Sequence, residues 1–117
     1  MIQMDFIDFK ALKISYPTDE AFQQDIVDTF IKRIPAYSYC LKASLDRENT
    51  EELLAYSCQL RGIAECCCIR QIEKLCLQLD SEIRDNNLKA ATVTLHSIRK
   101  ILRCIQKQYP TNLSYLL

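Results

Sequence analysis

Gly62 is the only glycine in this chain of 117 residues, and proline occurs only as Pro17, Pro35 and Pro110. A sheet protein needs turn formers every few residues. A chain this poor in them is steered towards a few long helices joined by short connections. Apolar residues make up 49% of the sequence, enough to fill one core, and the length suits one domain rather than two. The expected fold class is therefore all-α. We expect an antiparallel four-helix bundle with one or two short extra helices, a single domain over residues 1–117. Its core would span about 5–108, with 109–117 as a tail.

The apolar periodicity divides the chain further. Phe6, Phe9 and Leu12 suggest a short first helix near 5–13. Asp19 and Glu20 read as an acidic first turn, after which Phe22, Ile26, Phe30 and Ile34 recur at helical spacing. Pro35 is expected to end that helix and to open the next, in which Tyr39, Leu41 and Leu45 offer apolar contacts up to about Asp46. Asn49, with Glu52 three residues on, resembles a capping box. The helix that it starts carries a stripe of Leu53, Tyr56, Leu60, Ile63, Ala64 and Cys67. Near Cys68 the phase changes, and Ile69, Ile72, Cys76, Leu79 and Ile83 form the next stripe. Asp85-Asn86-Asn87 is the clearest polar break, and the last helix would bury Leu88, Ala91, Leu95, Ile98, Leu102 and Ile105. Leu113 and Tyr115 could dock the tail.

Several function classes recede on composition. Fifteen basic residues balance fifteen acidic ones, so no net field draws nucleic acid or an anionic membrane. No stretch approaches the roughly 20 apolar residues that span a bilayer. The start, Met1-Ile2-Gln3-Met4-Asp5, lacks the pattern of a signal peptide, which points to a cytoplasmic protein. Seven cysteines are an odd number for a disulfide scaffold, and reduced cysteine commonly serves as a small core residue. Cys66-Cys67-Cys68 cannot converge on one metal ion, because successive helical residues point about 100° apart. No cofactor, metal or catalytic constellation is expected.

Cys58 is the residue that does not fit a plain bundle. By helical phase it lies opposite the stripe that contains Leu53 and Leu60, ringed by Leu54, Ala55, Arg61, Gly62 and Glu65. A thiol, a glycine and an alanine turned outward beside an arginine, with Leu54 also exposed, form a small flat patch suited to a docking protein.

The run Cys58-x-Leu60-Arg61-Gly62, followed by Ile72, Cys76, Leu79 and Asp80, resembles the histidine-containing phosphotransfer (HPt) domains of phosphorelays. Their signature is H-x-L-K-G, then L-x-x-x-C-x-x-L-E at this spacing. The resemblance spans roughly residues 5–108, and Phe30, Pro35 and Leu45 suit it upstream. It implies a bundle that docks response-regulator receiver domains and histidine kinases through the face carrying Leu54, Ala55, Cys58, Arg61, Gly62 and Glu65. The chain departs from the pattern at its centre, because Cys58 stands where the family carries its phosphoryl-accepting histidine. Arg61 replaces a lysine, Ile63 a serine, Glu65 an alanine-like residue and Cys68 the turn glycine.

That departure sets the chemistry. A phosphorelay needs an imidazole nitrogen able to carry a labile N–P bond. A thiol acts only as thiolate, and an unactivated cysteine ionises near pH ~8.5. Glu65, two turns along the same face, would repel a phosphoryl group unless Arg61 compensates. The resemblance thus implies a pseudo-phosphotransfer regulator that binds partners without passing the group on. Two alternatives stand beside it. One is active phosphotransfer through Cys58 or through His96, the sole histidine, in Leu95-His96-Ser97-Ile98-Arg99. The other is an unrelated helical protein that responds to redox state or metal, with Cys58 and Cys68 as its accessible thiols.

Overall fold

In a computed structural model, residues 6–109 are described, and five helices account for most of them. They are α1 (Phe9–Ser15), α2 (Glu20–Asp46), α3 (Thr50–Cys66), α4 (Arg70–Arg84) and α5 (Leu88–Gln108), with no strand among the described residues. The described part of the chain is thus all-helical. The anticipated tail beyond Tyr109 lies outside the described residues.

Side-chain caps mark four of the five described helix starts, all but that of α4. Asp8, Asp19, Asn49 and Asn87 each accept a hydrogen bond through a side-chain oxygen from the backbone N–H three residues on, at 2.8–3.1 Å. These caps satisfy N–H groups that have no partner within the helix. The cap at Asp8 places α1 later than the expected 5–13, because Phe6 precedes it. Asn49 caps as its spacing to Glu52 foretold.

Three connections share one construction. After α2, α3 and α4, the middle residue of a three-residue turn (Glu48, Cys68 or Asn86) has left-handed backbone, φ 54°, 58° and 58°. Its N–H donates to a carbonyl three residues back, and the next N–H donates to one five residues back. The pairs are Glu48 to Leu45 and Asn49 to Ser44, Cys68 to Glu65 and Ile69 to Ala64, and Asn86 to Ile83 and Asn87 to Glu82. Each is a Schellman turn that satisfies the last carbonyls of one helix and starts the next. None contains glycine.

Burial assembles the helices. α3 packs on α2 and α4, α5 packs on α2 and α4, and α1 rests on α2. Phe30 and a set of leucines and isoleucines fill the interior with Cys67, Cys76, Ala64 and Ala91. On α4 and α5 the stripes fall as expected: Ile69, Ile72, Cys76, Leu79 and Ile83, and Ala91, Leu95, Ile98, Leu102 and Ile105, are all buried. Leu88 is half-buried. Asp8 N–H donates to the Cys68 carbonyl at 3.1 Å, which ties α1 to the α3–α4 turn.

Pro35 corrects the sequence reading, because α2 runs through it without a break. Proline removes one backbone hydrogen bond and crowds the preceding turn, at ~3 kcal/mol or more in a helix interior. Here Pro35 is exposed, while Ile31 and Ile34 before it and Leu41 and Leu45 after it are buried. Burial on both sides keeps one long helix. Tyr39, expected to make apolar contacts, is instead 72% exposed. No helix among the described residues is long and apolar enough to cross a membrane.

Candidate functional site

The two edges of α3 differ sharply. On the inner edge Leu53, Ser57, Leu60 and Ala64 are buried, and the Ser57 hydroxyl donates to the Cys76 carbonyl across to α4 at 3.4 Å. Ser57 was not part of the expected stripe, whereas Tyr56 and Ile63, which were, are only half-buried. On the outer edge Ala55, Cys58, Gly62 and Glu65 are exposed, and Arg61 is half-buried.

Leu54 departs from expectation, being half-buried and packed against the core. With α2 on one flank and α4 on the other, the covered arc of α3 is wider than the phase of Leu53 and Leu60 indicates. Leu54 therefore exposes only part of its side chain to solvent.

Arg61 turns towards α4, where its Nη1 lies 3.9 Å from Asp80 Oδ2, with side-chain exposures of 31% and 15%. The contact is long, so it fixes a direction more than it adds energy. The other carboxylate oxygen, Oδ1, is buried without a hydrogen-bond partner among the described residues. Asp80 is the neighbour of Arg61 that helical phase alone did not single out. A signal was present: it stands four residues after Cys76 and three before Ile83, on the border of the α4 stripe.

Gly62 lies in regular helix, and a Cβ built on it would meet no atom within 4 Å. Glu65, next along the edge, lines a separate concavity of about 490 Å³ with Ala11 and Ser15 of α1 and Lys74 and Leu77 of α4. The six residues thus share one helix edge, with Arg61 drawn towards α4 and Glu65 towards α1.

The thiols divide in the same way. Burial pushes Cys76 and Cys67 up to about 12, so neither serves as a nucleophile near neutral pH. Asp80 adds to the rise at Cys76, while the Ser57 hydroxyl opposes it; at Cys67 the neighbouring Cys66 and Cys68 add. Cys68, offered above as an accessible thiol, is half-buried, and burial raises its pKa against a hydrogen bond with Ser15. Cys66 is exposed, so the three consecutive cysteines occupy three different environments. No group of three or more His, Cys, Asp or Glu residues that could hold a metal comes together among the described residues.

His96 is exposed on α5, in a cavity between that helix and α2 and away from the α3 edge. No protein-family model, curated protein or solved structure matches the chain.

Proposed function

We propose that this chain is a cytoplasmic pseudo-phosphotransfer module of the HPt type, with α2–α5 as an antiparallel four-helix bundle. The outer edge of α3 docks a response-regulator receiver domain, a histidine kinase, or both. Gly62 carries the reading. Glycine within a helix is less stable than alanine by ~0.5–1 kcal/mol, yet a methyl group there would touch nothing in the fold. The fold has no need of bare backbone at that point. A partner approaching α3 closely has such a need.

The neighbours fit that partner. Ala55 and Cys58 keep the edge low, half-buried Leu54 adds apolar contact, and Arg61 presents a guanidinium at the α3–α4 seam. An arginine is suited to the carboxylates that line a receiver's acidic site. Cys58 occupies the accepting position without an imidazole. The module competes for or sequesters its partners and does not relay the phosphoryl group.

Calorimetric titration with purified receiver and kinase domains tests the reading. Arg61→Glu and Gly62→Gln are each expected to abolish binding without loss of fold, and unchanged affinity in both rejects the docking edge. Incubation with a phosphorylated receiver, followed by mass spectrometry, is expected to leave Cys58 unlabelled. An acid-stable label that disappears in Cys58→Ser would replace this reading with phosphotransfer through the thiol.

A further inference from the structure

Between α2 and α5, the pair of long helices that excludes the docking edge, lies a cavity of about 340 Å³. That volume is near the lower end of the roughly 300–1,000 Å³ of small-molecule sites. Leu45, Leu88 and Leu95 supply its apolar lining; Leu45 and Leu95 are buried and Leu88 half-buried.

The charges around this lining balance in number but are not all paired. Lys42 and Asp46 do neutralise each other, as an ion pair one turn apart on α2. Arg99 uses only its Nε, which donates to Ser38 Oγ at 2.9 Å. No carboxylate among the described residues lies within 4.0 Å of its guanidinium. His96 stands beside it, one turn earlier on α5. Glu48, in the α2–α3 turn, lines the same cavity, and its carboxylate has no hydrogen bond or ion pair among the described residues. One cation and one anion thus share a cavity without reaching each other, with leucine side chains in the same lining.

We propose that this cavity binds a zwitterion of the α-amino acid class with an apolar side chain. Its carboxylate pairs with Arg99 beside His96, its ammonium pairs with Glu48, and its side chain covers the leucines. The arrangement disfavours the simpler alternatives. A fatty carboxylate leaves Glu48 facing a second negative charge, an alkylamine leaves Arg99 facing a second positive one, and a polyphosphate meets both Glu48 and Asp46. The site is independent of the docking edge and adds a small-molecule input on another face of the bundle.

Titration calorimetry of the full chain with L-leucine tests this site. The controls are 4-methylpentanoate, which is leucine without its amine, and 3-methylbutylamine, which is leucine without its carboxylate. Leucine is expected to saturate the protein at about millimolar concentration or below, and each singly charged relative to bind at least tenfold more weakly. Glu48→Gln and Arg99→Gln are each expected to weaken leucine at least tenfold, with Glu48→Gln leaving 4-methylpentanoate no weaker. Glu48 is exposed, so its substitution leaves the fold intact. Absence of leucine binding, equal affinity for the three probes, or binding that survives both substitutions would overturn the assignment.

Discussion

In the middle of α3, Gly62 occupies regular helix with open space where a side chain would stand. At the ends of α2, α3 and α4, Glu48, Cys68 and Asn86 hold the left-handed backbone that glycine adopts without cost. Glycine is thus present where folding disfavours it and missing from the three turns where folding would favour it. Asparagine tolerates the left-handed region comparatively well, which accounts for Asn86. Glu48 and Cys68 hold it because two backbone hydrogen bonds and the packing of the helices on either side fix each turn. The contrast shows that no packing in the described fold calls for glycine at position 62, and the proposed docking edge rests on that observation.

The sharpest test of that contrast sets Gly62 against its neighbour on the inner edge. Leu60→Ala is expected to lower unfolding free energy by ~2–5 kcal/mol, because it leaves a cavity among buried side chains. Gly62→Gln, two residues away and facing outward, is expected to stay within ~0.5 kcal/mol of the parent in urea titrations. Comparable losses would mean that the outer edge is not open.

The buried thiols give the next largest effect. Burial pushes Cys67 and Cys76 up to about 12 in the folded chain, well above the range of a cysteine in an unfolded one. Their contribution to stability is complete below pH 9 and declines as pH rises towards 12, since only the unfolded chain then loses those protons. We expect a loss of ~1 kcal/mol per thiol between pH 8 and 10. Urea midpoints of the parent and of Cys76→Val under reducing conditions check this, with the variant showing the shallower decline.

Two smaller changes test the backbone argument directly. Glu48→Gly is expected to raise stability by ~1 kcal/mol, by relieving the left-handed conformation at an exposed side chain. Gly62→Ala is expected to raise it by ~0.5–1 kcal/mol, visible as a melting temperature a few degrees higher. A destabilised Gly62→Ala would show that the fold itself requires the bare backbone, and the docking reading would lose its support.

Much of this architecture was legible along the chain. The stripes of α4 and α5 and the cap at Asn49 follow from helical periodicity and from the needs of unpaired N–H groups, which are local. The outward exposure of Ala55, Cys58, Gly62 and Glu65 was legible for the same reason. Where neighbours decide, the residues misled. Pro35 reads as a helix end but sits on a water-facing side of α2, between buried residues. Leu54 reads as exposed, but two flanking helices widen the covered arc of α3.

Sequence alone determined that the described chain is helical, where four of its five described helices begin, and which edge of α3 faces outward, because caps, periodicity and turn residues act over a few positions. Only the tertiary structure decided that Arg61 turns to Asp80, that α2 continues through Pro35, and that Glu48 and Arg99 line one cavity. Those outcomes depend on which helices lie side by side, and no spacing along a single helix encodes the distance to its neighbour.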